Sequence, residues 1–125
     1  MSQTSILQSD RVTPEVIEYV WRKIRDAINP VKIILFGSQA EGTSDKTSDL
    51  DLFVIHDLPQ PSRQVRRQLD RLFLHRRFGL DVIVRNQEQV NLNLADNNPF
   101  YTEHVFKRGV ILYDREQQKT SGDAA

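Results

Sequence analysis

The sequence predicts a domain of the α/β or α+β class built on a central sheet. Three observations carry this reading. Val16, Val20, Ile24 and Ile28 recur every four residues and form one apolar helix face. Three short runs rich in branched residues, "VKIILF", "DLDLFVI" and "LDVIV", have the length and composition of strands. The 56–79 segment between the last two is long enough for a crossover helix, so those strands can lie side by side.

Each element has its own signal. Thr13 is a candidate N-cap, followed by Pro14 at the first helical position and Glu15 in the first turn. The helix they open is expected to end before Pro30. "VKIILF" is the first strand, "GTSDKTS" a loop, and "DLDLFVI" the second strand, closed by "HDLPQPS". From Ser62, the residues Val65, Leu69, Leu72 and Phe73 predict a helix to about Phe78, stopped by Gly79. "LDVIV" is the third strand. "QEQVNLNLA" and "PFYTEHVFKRG" read as two short helices, and "VILYD" as a last, edge strand. Residues 1–12 are expected to be a flexible arm, 13–114 the domain, and 115–125 a disordered polar tail.

The chain has 125 residues, enough for one modest core. It carries 17 basic and 17 acidic residues, so strong whole-molecule attraction to nucleic acid or anionic membrane is not expected. No cysteine is present, which excludes disulfides and zinc–thiolate sites. The start "MSQTSILQSD" lacks the basic and apolar segments of a signal peptide, and no apolar run reaches membrane-spanning length. A soluble cytoplasmic protein is expected.

Two carboxylates inside an apolar run need an explanation, because buried acids are rare without partners. Alternation puts Asp49 and Asp51 on one strand face, with Leu50, Leu52 and Val54 on the other. Asp81 repeats the oddity at the start of "LDVIV". If the two strands are neighbours, three carboxylates converge, and their repulsion calls for cations. Hard oxygen donors without His or Cys suit Mg²⁺ or Mn²⁺, and two such ions clamp a phosphoryl displacement. Gly37-Ser38 then offers close backbone approach, amides and a hydroxyl for phosphate oxygens. The P-loop and the dinucleotide fingerprint are both absent. Each residue also has a plainer reading: Asp49 as a loop-end cap, Asp51 as a salt-bridged strand residue, Ser38 as a helix cap. His56, His75 and His104 have no ligand spacing, and Trp21 reads as core. The helix from Ser62 carries Arg63, Arg66, Arg67, Arg71, Arg76 and Arg77 against Asp70 alone. Such a face is solvated, or it binds an acidic partner or RNA.

Gly37-Ser38, ten residues, Asp49-Leu50-Asp51, then Asp81 resembles the nucleotidyltransferase superfamily of DNA polymerase β type. The small size and "FYTEHVFKRGVILYD" are similar to the minimal nucleotidyltransferases, antitoxin-like partners of HEPN-domain toxins. The resemblance runs from about Thr13 to Asp114. It implies a nucleotidyltransferase fold, a central mixed sheet of three to four strands flanked by helices. It implies that Asp49 and Asp51 bind two Mg²⁺ or Mn²⁺ ions and that Asp81 completes the catalytic metal site. Gly37 and Ser38 would hold the phosphates of ATP, and AMP would pass to a tyrosine of a HEPN-type toxin. Gln39 and Glu41 depart from the family, where many relatives carry Arg. Two further readings are an antitoxin that occludes its toxin without catalysis, and an RNA or small-molecule nucleotidyltransferase. With no acceptor domain in the sequence, the acceptor site is expected to be shared with another protein or formed in a homo- or hetero-oligomer.

Overall fold

A computed structural model describes residues 6–43 and 48–117. Residues 1–5 of the expected arm, 44–47 of the expected loop and 118–125 of the expected tail lie outside the described residues. The first helix, α1 (Pro14–Ile28), is capped as its sequence dictates: the Thr13 hydroxyl accepts from the Val16 amide at 3.2 Å. It ends where Asn29 turns left-handed, φ 42°, and donates to Arg25 O at 2.8 Å. β1 (Lys32–Phe36), the single turn α2 (Ser38–Glu41) and β2 (Leu50–His56) follow. Then come α3 (Ser62–Arg71), β3 (Leu80–Asn86), α4 (Gln87–Ala95), a π-helical turn (Phe100–Val105) and β4 (Val110–Asp114).

The strands form one mixed sheet in the order β3-β2-β1-β4. β1 runs antiparallel to β2 and β4, and β2 runs parallel to β3 across the α3 crossover. Both faces are covered, so β2 is an almost unbroken apolar run. On one face Val16, Val20 and Ile24 of α1 and Val65 and Leu69 of α3 bury Ile33, Leu35, Leu50, Leu52, Val54, Val82 and Val84. On the other, Val90, Tyr101 and Val105 bury Ile34, Phe36, Phe53 and Ile55. Burial of these side chains stabilises by about 1.5–3 kcal/mol each before entropy is counted.

The third helix is shorter than its sequence suggests. It stops at Arg71 rather than near Phe78, and Gly79 is not its terminator. Leu72 and Phe73 donate to Leu69 O and Asp70 O, tightening the end into 3₁₀ geometry, and His75 turns left-handed at φ 66°. Phe73 and Phe78 are both in the core. Five residues apart on a helix they would point about 140° apart, so the chain must turn to bury both. "PFYTEHVFKRG" also departs from expectation. It winds as a π-turn, with Phe106 N–H on Tyr101 O at 2.9 Å and Arg108 N–H on Glu103 O at 3.1 Å. The wide turn brings the Tyr101 ring 5.4 Å from Phe53 and the Phe100 ring 5.6 Å from Phe36.

The described part of the arm is anchored: Ile6 and Leu7 pack on the main core, and Asp10 pairs with Arg77 at 2.8 Å. The start of the tail is anchored too, by Arg115, which grips Asp57 with both guanidinium nitrogens. Trp21 is half-buried at the core margin, stacked on Tyr113 with Arg22 and Arg25 near its ring. Among the described residues no helix is long and apolar enough to cross a membrane.

Candidate active site

Asp51 is the second residue of β2 and stands in register with two neighbours. Across the antiparallel pair it faces Phe36, and across the parallel pair it faces Asp81. Alternation puts Asp51 and Asp81 on the face carrying Phe53, Ile55 and Ile83, where Asp51 is half-buried and Asp81 exposed. Asp49 is exposed and precedes β2. Leu50 donates to Gly79 O at 2.9 Å and so joins the two strand starts. The Asp49 carboxylate lies against Gly79, where any Cβ would overlap it. Gly79 was legible in the sequence only as a helix stop; its place is to make room for this acid.

Gly37 closes the corner. Its φ of 76° and ψ of −158° belong to glycine, and a Cβ there would sit 2.5 Å from Asp51 Oδ2. Gly37 is also the N-cap of α2, so Ser38 is its first residue and not its cap. The Ser38 hydroxyl has no hydrogen-bond partner among the described residues. Gln39 reaches the carbonyl of Ser48 at 3.5 Å, which ties α2 to the residue before Asp49.

The electrostatics of the corner are those of crowded anions. The Asp51 carboxyl is raised above the ordinary aspartate value, first by burial, then by the charges of Asp81 and Asp49. Arg66 of α3 comes within 3.6 Å of Asp81 Oδ1 and 3.8 Å of Asp70. This contact was hidden in the sequence among six arginines. Among the described residues no three carboxylates or imidazoles stand close enough to cage a metal ion. The three aspartates therefore share one corner without closing on one point: Asp81 leans to Arg66 and Asp49 lies over Gly79. The donor set nevertheless fits Mg²⁺ or Mn²⁺, being all carboxylate oxygen, with three acids against the single half-exposed Arg66.

The histidines stand apart. His56 is fully buried at the far end of β2, held by Ser62 and the Leu58 amide. His75 and His104 are exposed. Of the arginines, Arg76 donates to Phe73 O and Leu80 O and Arg77 pairs with Asp10, so both are structural. Arg67 and Arg71 line a shallow surface groove with Gln64 and Gln68.

Residues 17–116 match the family described as nucleotidyltransferase domain. A Methanocaldococcus jannaschii protein provisionally named a protein adenylyltransferase is 31% identical over 111 residues, which cover 86% of this chain and 73% of that one. Among solved structures, a nucleotidyltransferase-like protein from Sulfolobus solfataricus superposes with a TM-score of 0.56 at 20% identity, covering 82% of this chain and 81% of that one. A toxin–antitoxin structure with AMP-PNP gives 0.45 at 17% identity over 83% of this chain and 78% of that one.

Proposed function

The chain belongs to the nucleotidyltransferase domain family, and from that premise we propose that it transfers AMP from ATP to a protein hydroxyl. The observation that carries this reading is the register pairing of Asp51 with Asp81, set against Gly37 and Ser38. The adenylyl donor and protein acceptor are supported by the name of the M. jannaschii relative.

Each residue has a part in the reaction. Gly37, whose missing Cβ leaves room for Asp51, offers its backbone to the β- and γ-phosphates, and the Ser38 hydroxyl, without a hydrogen-bond partner among the described residues, donates to them. Mg²⁺ or Mn²⁺ held by Asp49, Asp51 and Asp81 would neutralise phosphate charge and align the attacking and leaving oxygens. Asp81 takes the acceptor proton. The acceptor oxygen bonds to the α-phosphorus, the bond from that phosphorus to the bridging oxygen breaks, and pyrophosphate leaves. A tyrosine, with an ordinary pKa of about 10, needs such a base at neutral pH.

By its likeness to the minimal nucleotidyltransferases, the acceptor is a tyrosine of a HEPN-type toxin, and the protein acts in the cytoplasm as that toxin's antitoxin. The added anionic group would repel RNA from the toxin. The Arg66–Asp81 ion pair favours one second reading, a catalytically weak antitoxin that works by occlusion, because it engages the proposed base. Intact-mass spectrometry of the co-expressed pair separates the two. One adenylate on the partner, absent with Asp49→Asn plus Asp51→Asn, supports transfer. An unmodified partner still silenced by the double variant supports occlusion.

A further inference from the structure

We propose that Arg108 is the cation that grips the triphosphate beside Gly37 and Ser38, and that Glu41 is only its resting partner, displaced when the nucleotide arrives. This rests on the proposed use of that corner for a nucleoside triphosphate.

The need comes from charge. The corner holds three aspartates, and Glu41 ends the turn that begins at Ser38. Amides and one hydroxyl are weak counterparts for a polyphosphate tail that must lie beside so many acids. In the described structure Arg108 supplies a cation there, with a guanidinium nitrogen 3.7 Å from Glu41 Oε1.

The backbone shows why Arg108 comes to this place although 70 residues separate it from Ser38. Leu35 pairs with Val110 across the antiparallel β1–β4 ladder. Continued by two residues, that register puts Arg108 opposite Gly37. Gly109 fixes the approach, since a Cβ there would overlap Val105 O and come 2.7 Å from Ile34. The π-turn sets the angle, because Arg108 N–H reaches Glu103 O five residues back. A π-turn re-aims the residues that follow it, and such turns are common at functional sites.

The pairing with Glu41 is suited to exchange. The Arg108 and Glu41 side chains are 51% and 34% exposed, and at 3.7 Å the contact is loose. An exposed pair of this kind contributes little stability, so a phosphate can displace the carboxylate at small cost. A guanidinium can meet two phosphate oxygens at once. Glu41 is therefore the resting partner of Arg108 and an anion that competes with phosphate for it.

Calorimetric titration with ATP and with AMP, each with Mg²⁺, tests this. Arg108→Ala should weaken ATP about tenfold or more and leave AMP within about twofold, because AMP lacks the two terminal phosphates. Glu41→Gln, which removes the competing anion, should tighten ATP severalfold; it remains informative even if Arg108→Ala fails to fold. Arg108→Ala with unchanged ATP affinity would overturn the inference, and so would equal weakening of ATP and AMP. Weaker ATP binding by Glu41→Gln would overturn it too, since the pair would then be a structural clamp. If Arg108 proves dispensable while the wild type binds ATP, the phosphate corner stands and only Arg108's part is lost. If the wild type binds no triphosphate, both readings fall.

Discussion

The backbone of Gly37 lies directly against the carboxylate of Asp51, so closely that a methyl group on Gly37 would sit 2.5 Å from Oδ2. This joins the proposed phosphate corner to the acid corner through one atom's absence. Gly37→Ala should therefore fail twice. The left-handed φ of 76° is strained for alanine, and the acid must move. We expect a loss of about 1–3 kcal/mol in urea unfolding, with transfer activity reduced further than stability alone explains. Unchanged stability would mean the corner is looser than described.

Asp51 makes the site costly to the fold. Burial, Asp81 and Asp49 raise its folded-state value above that of the unfolded chain. Such a group adds stability at low pH, where both states hold the proton, and that stability is lost as pH rises through the folded value. Without divalent cations, Asp51→Asn should be more stable than the wild type at pH 7, by roughly 1 kcal/mol or less. The gain should vanish when both proteins are compared near pH 3. A variant less stable than wild type at pH 7 would contradict this.

His56 works in the opposite sense. It is fully buried, and burial lowers its pKa below the ordinary histidine value despite the nearby Asp57 charge. The Leu58 amide donates to Nδ1, so Nε2 carries the proton and donates to Ser62 Oγ, which donates on to Gln89 Oε1. The network is complete only while the ring is neutral. The unfolded chain takes up a proton as pH falls below about 6.5 and the folded chain resists, so stability is lost in that window. The loss should not exceed about 1.4 kcal/mol per pH unit, read from urea melts between pH 7.5 and 5. His56→Gln should flatten that slope.

Arg66 competes with any cation for Asp81. Its pairs at 3.6 and 3.8 Å are half-exposed, so Arg66→Gln should change stability by less than about 1 kcal/mol. The same change should lower the Mg²⁺ concentration that half-saturates the thermal shift measured with ATP present. A higher requirement for Mg²⁺ would assign Arg66 to the nucleotide instead.

What the sequence disclosed is what short periods encode. Two-residue alternation in "DLDLFVI" and "LDVIV" was enough to put Asp51 and Asp81 on one face, and four-residue spacing was enough to define α1. Asp49 shows where this stops: it precedes the strand, and its neighbour Gly79 comes from a loop thirty residues on. The end of α3 was misread because Leu72 and Phe73 continue the helical pattern, while the fold must bury Phe78 as well. The π-turn has no local signal, since only the aromatic packing on Phe53 and Phe36 selects it. Arg66 and Arg108 look like ordinary surface charges in the sequence and meet their acids only after the sheet has formed.

The central claim is transfer of the α-phosphoryl group with its nucleoside, and position-specific labelling tests it most directly. The protein is incubated with Mg²⁺, the proposed HEPN-type partner and ATP labelled at either the α- or the γ-phosphorus. The account predicts that α-label becomes covalently attached to the partner and γ-label leaves as pyrophosphate, both events lost in Asp49→Asn plus Asp51→Asn. Attachment of γ-label, or no attached α-label from wild-type protein that binds ATP, would contradict it.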